Sequence, residues 1–88
     1  MENELNVIVN EPDQTIWEGR AKAVTSENSE GEFDILPAHA NFITLVENKP
    51  IHVYQSDETK TFQFERAVIH TYNDNINIYG GLQSQFGT

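Results

Sequence analysis

Apolar side chains recur at every second position through much of the chain: Leu5, Val7 and Val9, then Phe33 and Ile35, Ile51 and Val53, Phe62 and Phe64, and Ile76 and Ile78. A period of two belongs to β-strands, whose successive side chains point to opposite faces. Polar residues fill many of the alternate positions, among them Asn6, His52, Gln63 and Asn77, so each strand is expected to bury one face and wet the other. Nowhere do apolar residues keep a helical spacing.

Between these runs lie clusters of turn formers: Asn10-Glu11-Pro12-Asp13, Glu27-Asn28-Ser29-Glu30-Gly31, Pro37-Ala38-His39, Asn48-Lys49-Pro50, Ser56-Asp57-Glu58 and Asn73-Asp74-Asn75. Asn and Asp tolerate left-handed backbone, and Pro presets a turn angle while removing a ladder donor, so such clusters end strands. Short strands at this turn spacing predict an all-β fold, a sandwich or a barrel. One domain over residues 1–80 is expected, with residues 81–88 a loosely held tail.

The length of 88 residues suits one domain, and the absence of cysteine excludes disulfides and thiolate metal sites. Glu2 and Glu4 stand where a signal peptide carries positive charge, and no run is long enough to span a bilayer, which predicts an interior location and no membrane insertion. The net charge is −9, and the basic residues Arg20, Lys22, Lys49, Lys60 and Arg66 are scattered. That distribution speaks against nucleic acid, whose phosphates need a clustered cationic surface, and suits a basic protein partner.

Candidate chemistry is sparse. His39, His52 and His70 are the only imidazoles, and neither a His-x-His pair nor a His-Glu-x-x-His helix is present, so no metal site is predicted. His52 is expected to face solvent, and His70, sharing a face with Val68 and Tyr72, to be half-buried with a hydrogen bond. No nucleophile elbow occurs, and Gly80-Gly81 opens no helix that could hold a phosphate, so catalytic residues, cofactor and bound nucleotide are all expected to be absent.

The informative stretch runs from Ser29 to Leu45: a turn, a short strand, a Pro-led loop and a second apolar strand. A loop carrying Gly, carboxylates, Pro and His between apolar strands suits protein recognition. Glu30-Gly31-Glu32-Phe33-Asp34-Ile35-Leu36-Pro37-Ala38-His39-Ala40 resembles the signature of the F-type ATP synthase epsilon subunit, called delta in mitochondria. Leu5 to Val9, the element Trp17-Glu18-Gly19 and the strand through Val24 follow in that family's order, and the resemblance extends to about Tyr79.

The resemblance implies an antiparallel β-sandwich of about ten short strands, a non-catalytic domain of the rotor's central stalk, peripheral to the cytoplasmic side of the membrane, packed between the gamma subunit and the c ring and coupling ion flow to ATP synthesis or hydrolysis. By position, Glu30, Gly31 and Glu32 correspond to the loop that approaches the c ring. Phe33, Pro37, His39, Ala40 and Phe42 correspond to the neighbouring interface with gamma and c, although Phe33 and Phe42 equally fit a core. The chain departs from the pattern at Asp34 and Ala38, where the family has Gly, at Asn41, where it has Pro, and at Glu65-Arg66-Ala67, which replaces Ser-Gly-Gly. A positive φ at Ala38 is expected to strain that residue by about 1 kcal/mol. The family continues into a C-terminal helical hairpin that these 88 residues do not include, so they are expected to lack that regulation, whether as a natural short form or as a trimmed piece of a longer chain. The alternative is a stand-alone adaptor of the same fold that binds a protein or glycan through its acidic loops.

Overall fold

Every alternating run becomes or borders a strand in the computed structural model, which describes residues 4–81 of the chain. The strands are β1 (Leu5–Glu11), β2 (Gln14–Ala21), β3 (Ala23–Asn28), β4 (Gly31–Ile35), β5 (Phe42–Glu47), β6 (Pro50–Tyr54), β7 (Thr59–Gln63), β8 (Arg66–Tyr72) and β9 (Asn75–Tyr79). The expected C-terminal tail lies outside the described residues, apart from Gly81.

A five-stranded sheet in the order β2-β1-β9-β8-β5 faces a four-stranded sheet in the order β4-β3-β6-β7, forming a β-sandwich. The pairs are antiparallel except β1 with β9, which run parallel and join the two ends of the domain. Leu5, Val7, Val9, Ile69, Ile76 and Ile78 from the larger sheet meet Val24, Ile35, Ile51 and Val53 from the smaller, all with no exposed surface. Burying each such side chain contributes roughly 1.5–3 kcal/mol, which for a chain this short is the main force closing the two layers.

Two close approaches explain glycines that the sequence pattern left bare. The Trp17 ring lies across Gly19, where a Cβ would come within 2.7 Å of it, and tilts against Phe62 at 5.9 Å. Gly80 lies so close under the Phe64 ring that a Cβ would sit 2.5 Å from it. The Trp-x-Gly element is therefore a packing device within the sandwich.

Candidate functional site

The segment singled out in the sequence is built from two tight turns at opposite ends of β4. At the first, Asn28 accepts the Glu30 N–H on its side-chain oxygen at 2.8 Å, and the chain leaves through Gly31 at a φ of 122°. The amide of Asn28 also donates to the Thr44 hydroxyl at 2.9 Å, tying the turn to β5 in the other sheet. Glu30 is exposed. Glu32 is exposed too, directly opposite Glu27 on β3, a like-charge pair on the outer face of the four-stranded sheet.

At the second turn the His39 N–H donates to the Leu36 carbonyl at 3.1 Å, with Pro37 at the second position and Ala38 at the third with a φ of 66°. This is the arrangement of a type II turn, which requires positive φ at the residue after Pro and so favours Gly. Ala38 therefore does adopt the positive φ at which strain is expected, and its Cβ is held in the left-handed region at a cost of about 1 kcal/mol.

What holds the strained turn comes from far along the chain. The hairpin between β8 and β9 turns on Asn73 and Asp74, both at positive φ (49° and 65°), as a two-residue type I′ turn demands. The Asp74 carboxylate accepts the Ala38 N–H at 2.8 Å, its main-chain carbonyl accepts the Asn6 N–H at 2.9 Å, and the Asn73 N–H donates to the Asn41 side chain at 2.9 Å. Asn41, where the related pattern has Pro, thereby makes an anchor that Pro could not.

The candidate residues therefore do not form one cluster. Glu30, Gly31 and Glu32 sit at or near one end of β4 and Pro37, His39 and Ala40 beyond the other, which at the rise of an extended strand separates them by about 15 Å. Phe33 and Phe42 bridge the gap from inside: their rings meet edge-on at 6.1 Å and pack on the core, with the His39 ring 5.3 Å from Phe42. His39 is exposed, and its Nδ1 lies 3.0 Å from the Ala40 carbonyl. His52 is half-buried, with Nδ1 3.0 Å from the Thr61 hydroxyl. His70 is half-buried as expected, lying beside Tyr72 on the outer face of the larger sheet, but no hydrogen bond of its ring is found among the described residues. Among those residues no group of three or more His, Asp or Glu side chains is placed to hold a metal ion.

Sequence reasoning missed the outer face of the five-stranded sheet. Leu45, Val68 and Tyr79 stand side by side across β5, β8 and β9, and Ile43, His70, Asn77 and Ile8 form the next row. Ile43 is 67% exposed, Tyr72 55%, Leu45 47% and Tyr79 43%, apolar and aromatic side chains grouped on one face around His70 and Asn77. The signal was present: Phe42-Ile43-Thr44-Leu45-Val46 and Val7-Ile8-Val9 are apolar on both phases of the strand period, which marks strands covered on both sides.

The described residues thus form a β-sandwich with tight, tethered loops and an outer face on which apolar side chains stay exposed. A family model described as the ATP synthase delta/epsilon chain, beta-sandwich domain, matches residues 4–80, and the chain belongs to that family. The ATP synthase epsilon chain of a Nitratiruptor species is 34% identical over 66 residues, covering 75% of this chain and 48% of the relative. The chain thus spans about half the length of the curated relative it matches. A chain in the OSCP/F1/c-ring structure of the Euglena gracilis mitochondrial ATP synthase superposes with a TM-score of 0.81 at 14% identity, covering 91% of this chain and 52% of that one. One in the central stalk/c-ring structure of the Tetrahymena thermophila mitochondrial ATP synthase does so with a TM-score of 0.73 at 11% identity, covering 90% and 64%. At these identities the likeness is one of fold.

Proposed function

We propose that this chain is the β-sandwich part of a non-catalytic central-stalk subunit of an F-type ATP synthase, packing on the gamma subunit and the c ring and coupling ion flow to ATP synthesis or hydrolysis. It works at the cytoplasmic side of the membrane as a peripheral part of the complex, with no helix among its described residues long and apolar enough to cross a bilayer. The observation that carries the reading is the uncovered apolar face of the five-stranded sheet on a domain of this family: such a surface is unfavourable in water and becomes favourable against a fixed partner. The gamma subunit is assigned to that face. Glu30, Gly31 and Glu32, at a tip turned away from the core, are assigned to the c ring, where complementary charge sets register more than affinity. Pro37, His39 and Ala40, with Phe33 and Phe42 as their support, form the neighbouring contact with gamma and c.

The test is association. Mixed with its cognate gamma subunit at micromolar concentration, the chain is expected to co-elute as a complex in size exclusion and to release heat in calorimetry. Separate elution with no heat at those concentrations contradicts the stalk role. A cysteine placed at Glu32 is expected to crosslink to c-ring loops in the assembled enzyme, and its failure to do so removes that contact assignment alone.

A further inference from the structure

β5 is the edge of the five-stranded sheet that the fold leaves undefended. Among the described residues it pairs only with β8, so every second residue turns its N–H and C=O away from the sheet. Sheet edges are ordinarily blunted by charge, Pro or bulges, because unpaired backbone groups recruit other strands. The other edges follow that rule: β2 carries Glu18 and Arg20 and pairs across a register shift, β4 carries Glu32 and Asp34, and β7 carries Lys60. β5 has no Pro, no register shift and a single charge, Glu47, at its last position.

Beside this edge runs a groove of about 450 Å³ between β5 and the turn joining β3 to β4. Phe42 and Thr44 line it from one side, and Glu27 and Glu30 from the other. Glu47 and Lys49 close its end, with Lys49 3.8 Å from Glu27 and Glu47 3.2 Å from Arg66 of β8. The lining carries three carboxylates against one ammonium. Ile43 and Leu45 also border the groove, with much of their side chains exposed on the outer face of the five-stranded sheet.

From these features we infer that β5 accepts an added strand from another polypeptide, an extended segment of about six residues in which aliphatic and basic side chains alternate. Strand addition supplies main-chain hydrogen bonds for affinity and alternate side-chain environments for specificity. The aliphatic side chains continue the row of Ile43 and Leu45, while the basic ones enter the groove toward Glu27 and Glu30. A second copy of this chain does not meet that description, since β5 offers only a carboxylate and each copy carries a net charge of −9.

The probe is a blocked octapeptide of alternating valine and lysine, titrated into the isotope-labelled 88-residue chain and followed by amide NMR and hydrogen exchange. Expected are shifts confined to β5 and the β3–β4 turn, and exchange of the outward amides of β5 slowed at least about tenfold, as for newly formed ladder bonds. N-methylation of every second peptide nitrogen is expected to abolish that protection, a valine–glutamate octapeptide to bind at least about tenfold more weakly, and Glu30→Gln to weaken binding about threefold. Leu45→Lys, which puts a guarding charge on the edge, is expected to weaken it about tenfold while leaving the spectrum folded. The inference is overturned by equal affinity for the N-methylated peptide, by shifts centred on the outer face of the four-stranded sheet, or by absence of binding. Concentration-dependent protection of β5 in the free chain also overturns it, because the occupant is then a second copy. Association with gamma is measured separately on the unaltered chain, because Leu45 also belongs to the face assigned to gamma.

Discussion

The two outer faces of the sandwich differ in chemistry although they belong to one domain with one core. On the five-stranded sheet, Leu45, Val68 and Tyr79 lie in line with Ile43 and Tyr72 nearby, an apolar and aromatic surface. On the four-stranded sheet, Glu27 opposes Glu32 and Asp34 opposes Thr25, with His52 and Tyr54 completing an acidic, hydrogen-bonding face. The cross-strand carboxylate pair is locally unfavourable, since like charges directly opposite destabilise a sheet. Under the proposed stalk role the two faces do different work: the apolar one supplies affinity once a partner covers it, and the acidic one keeps the free domain dispersed and steers encounters by its field.

Removing aromatic area from the apolar face is expected to have the largest effect. Tyr72→Ala combined with Tyr79→Ala should weaken association with gamma at least about thirtyfold in calorimetry, the scale of two central interface anchors. Both side chains are substantially exposed, so thermal unfolding of the free chain should change by less than about 1 kcal/mol. Equal affinity for the double variant breaks the contrast between the faces. Next in size, Thr71→Val removes a hydroxyl that is 1% exposed and finds no hydrogen-bond partner among the described residues. It should stabilise the chain by about 1 kcal/mol in denaturant melts, without altering binding at either face. Ala38→Gly relieves the left-handed Cβ of the type II turn and should also stabilise by a little under about 1 kcal/mol, the backbone entropy of Gly offsetting part of the gain. Destabilisation by that change contradicts the turn assignment. Smallest is Glu32→Gln, which relaxes the pair with Glu27 and should raise stability by roughly 0.2–1 kcal/mol at low salt. It should also shallow the salt dependence of association kinetics rather than change the equilibrium at high salt.

These contrasts also divide what the residues reveal before folding from what they conceal. Strand identity and core were legible because period two is a local property: Val7 and Val9, or Ile76 and Ile78, carry their burial in their spacing. The positive φ at Ala38 was hinted at only by the Gly that the related pattern has there; the residue after Pro in a type II turn has that one geometric requirement. The parallel pairing of β1 with β9, and the capture of Ala38 and Asn41 by Asp74 and Asn73, join residues more than thirty positions apart and leave no local trace. The apolar outer face was written plainly in the run from Phe42 to Val46, yet an alternation template assigns each strand one buried side and overlooks the second. The sequence shows the candidate residues dividing into two neighbouring loops, but not how far apart those loops lie; β4, extended between its two turns, carries them to opposite ends.

The tyrosines give the central claim an internal control, because Tyr72 and Tyr79 lie on the apolar face and Tyr54, 38% exposed, on the acidic one. Hydroxyl-radical footprinting of the chain, free and bound to its cognate gamma subunit, reads the three rings in one experiment. Protection of Tyr72 and Tyr79 with unchanged labelling of Tyr54 is the predicted result. Protection of Tyr54 with Tyr72 and Tyr79 still fully labelled contradicts it.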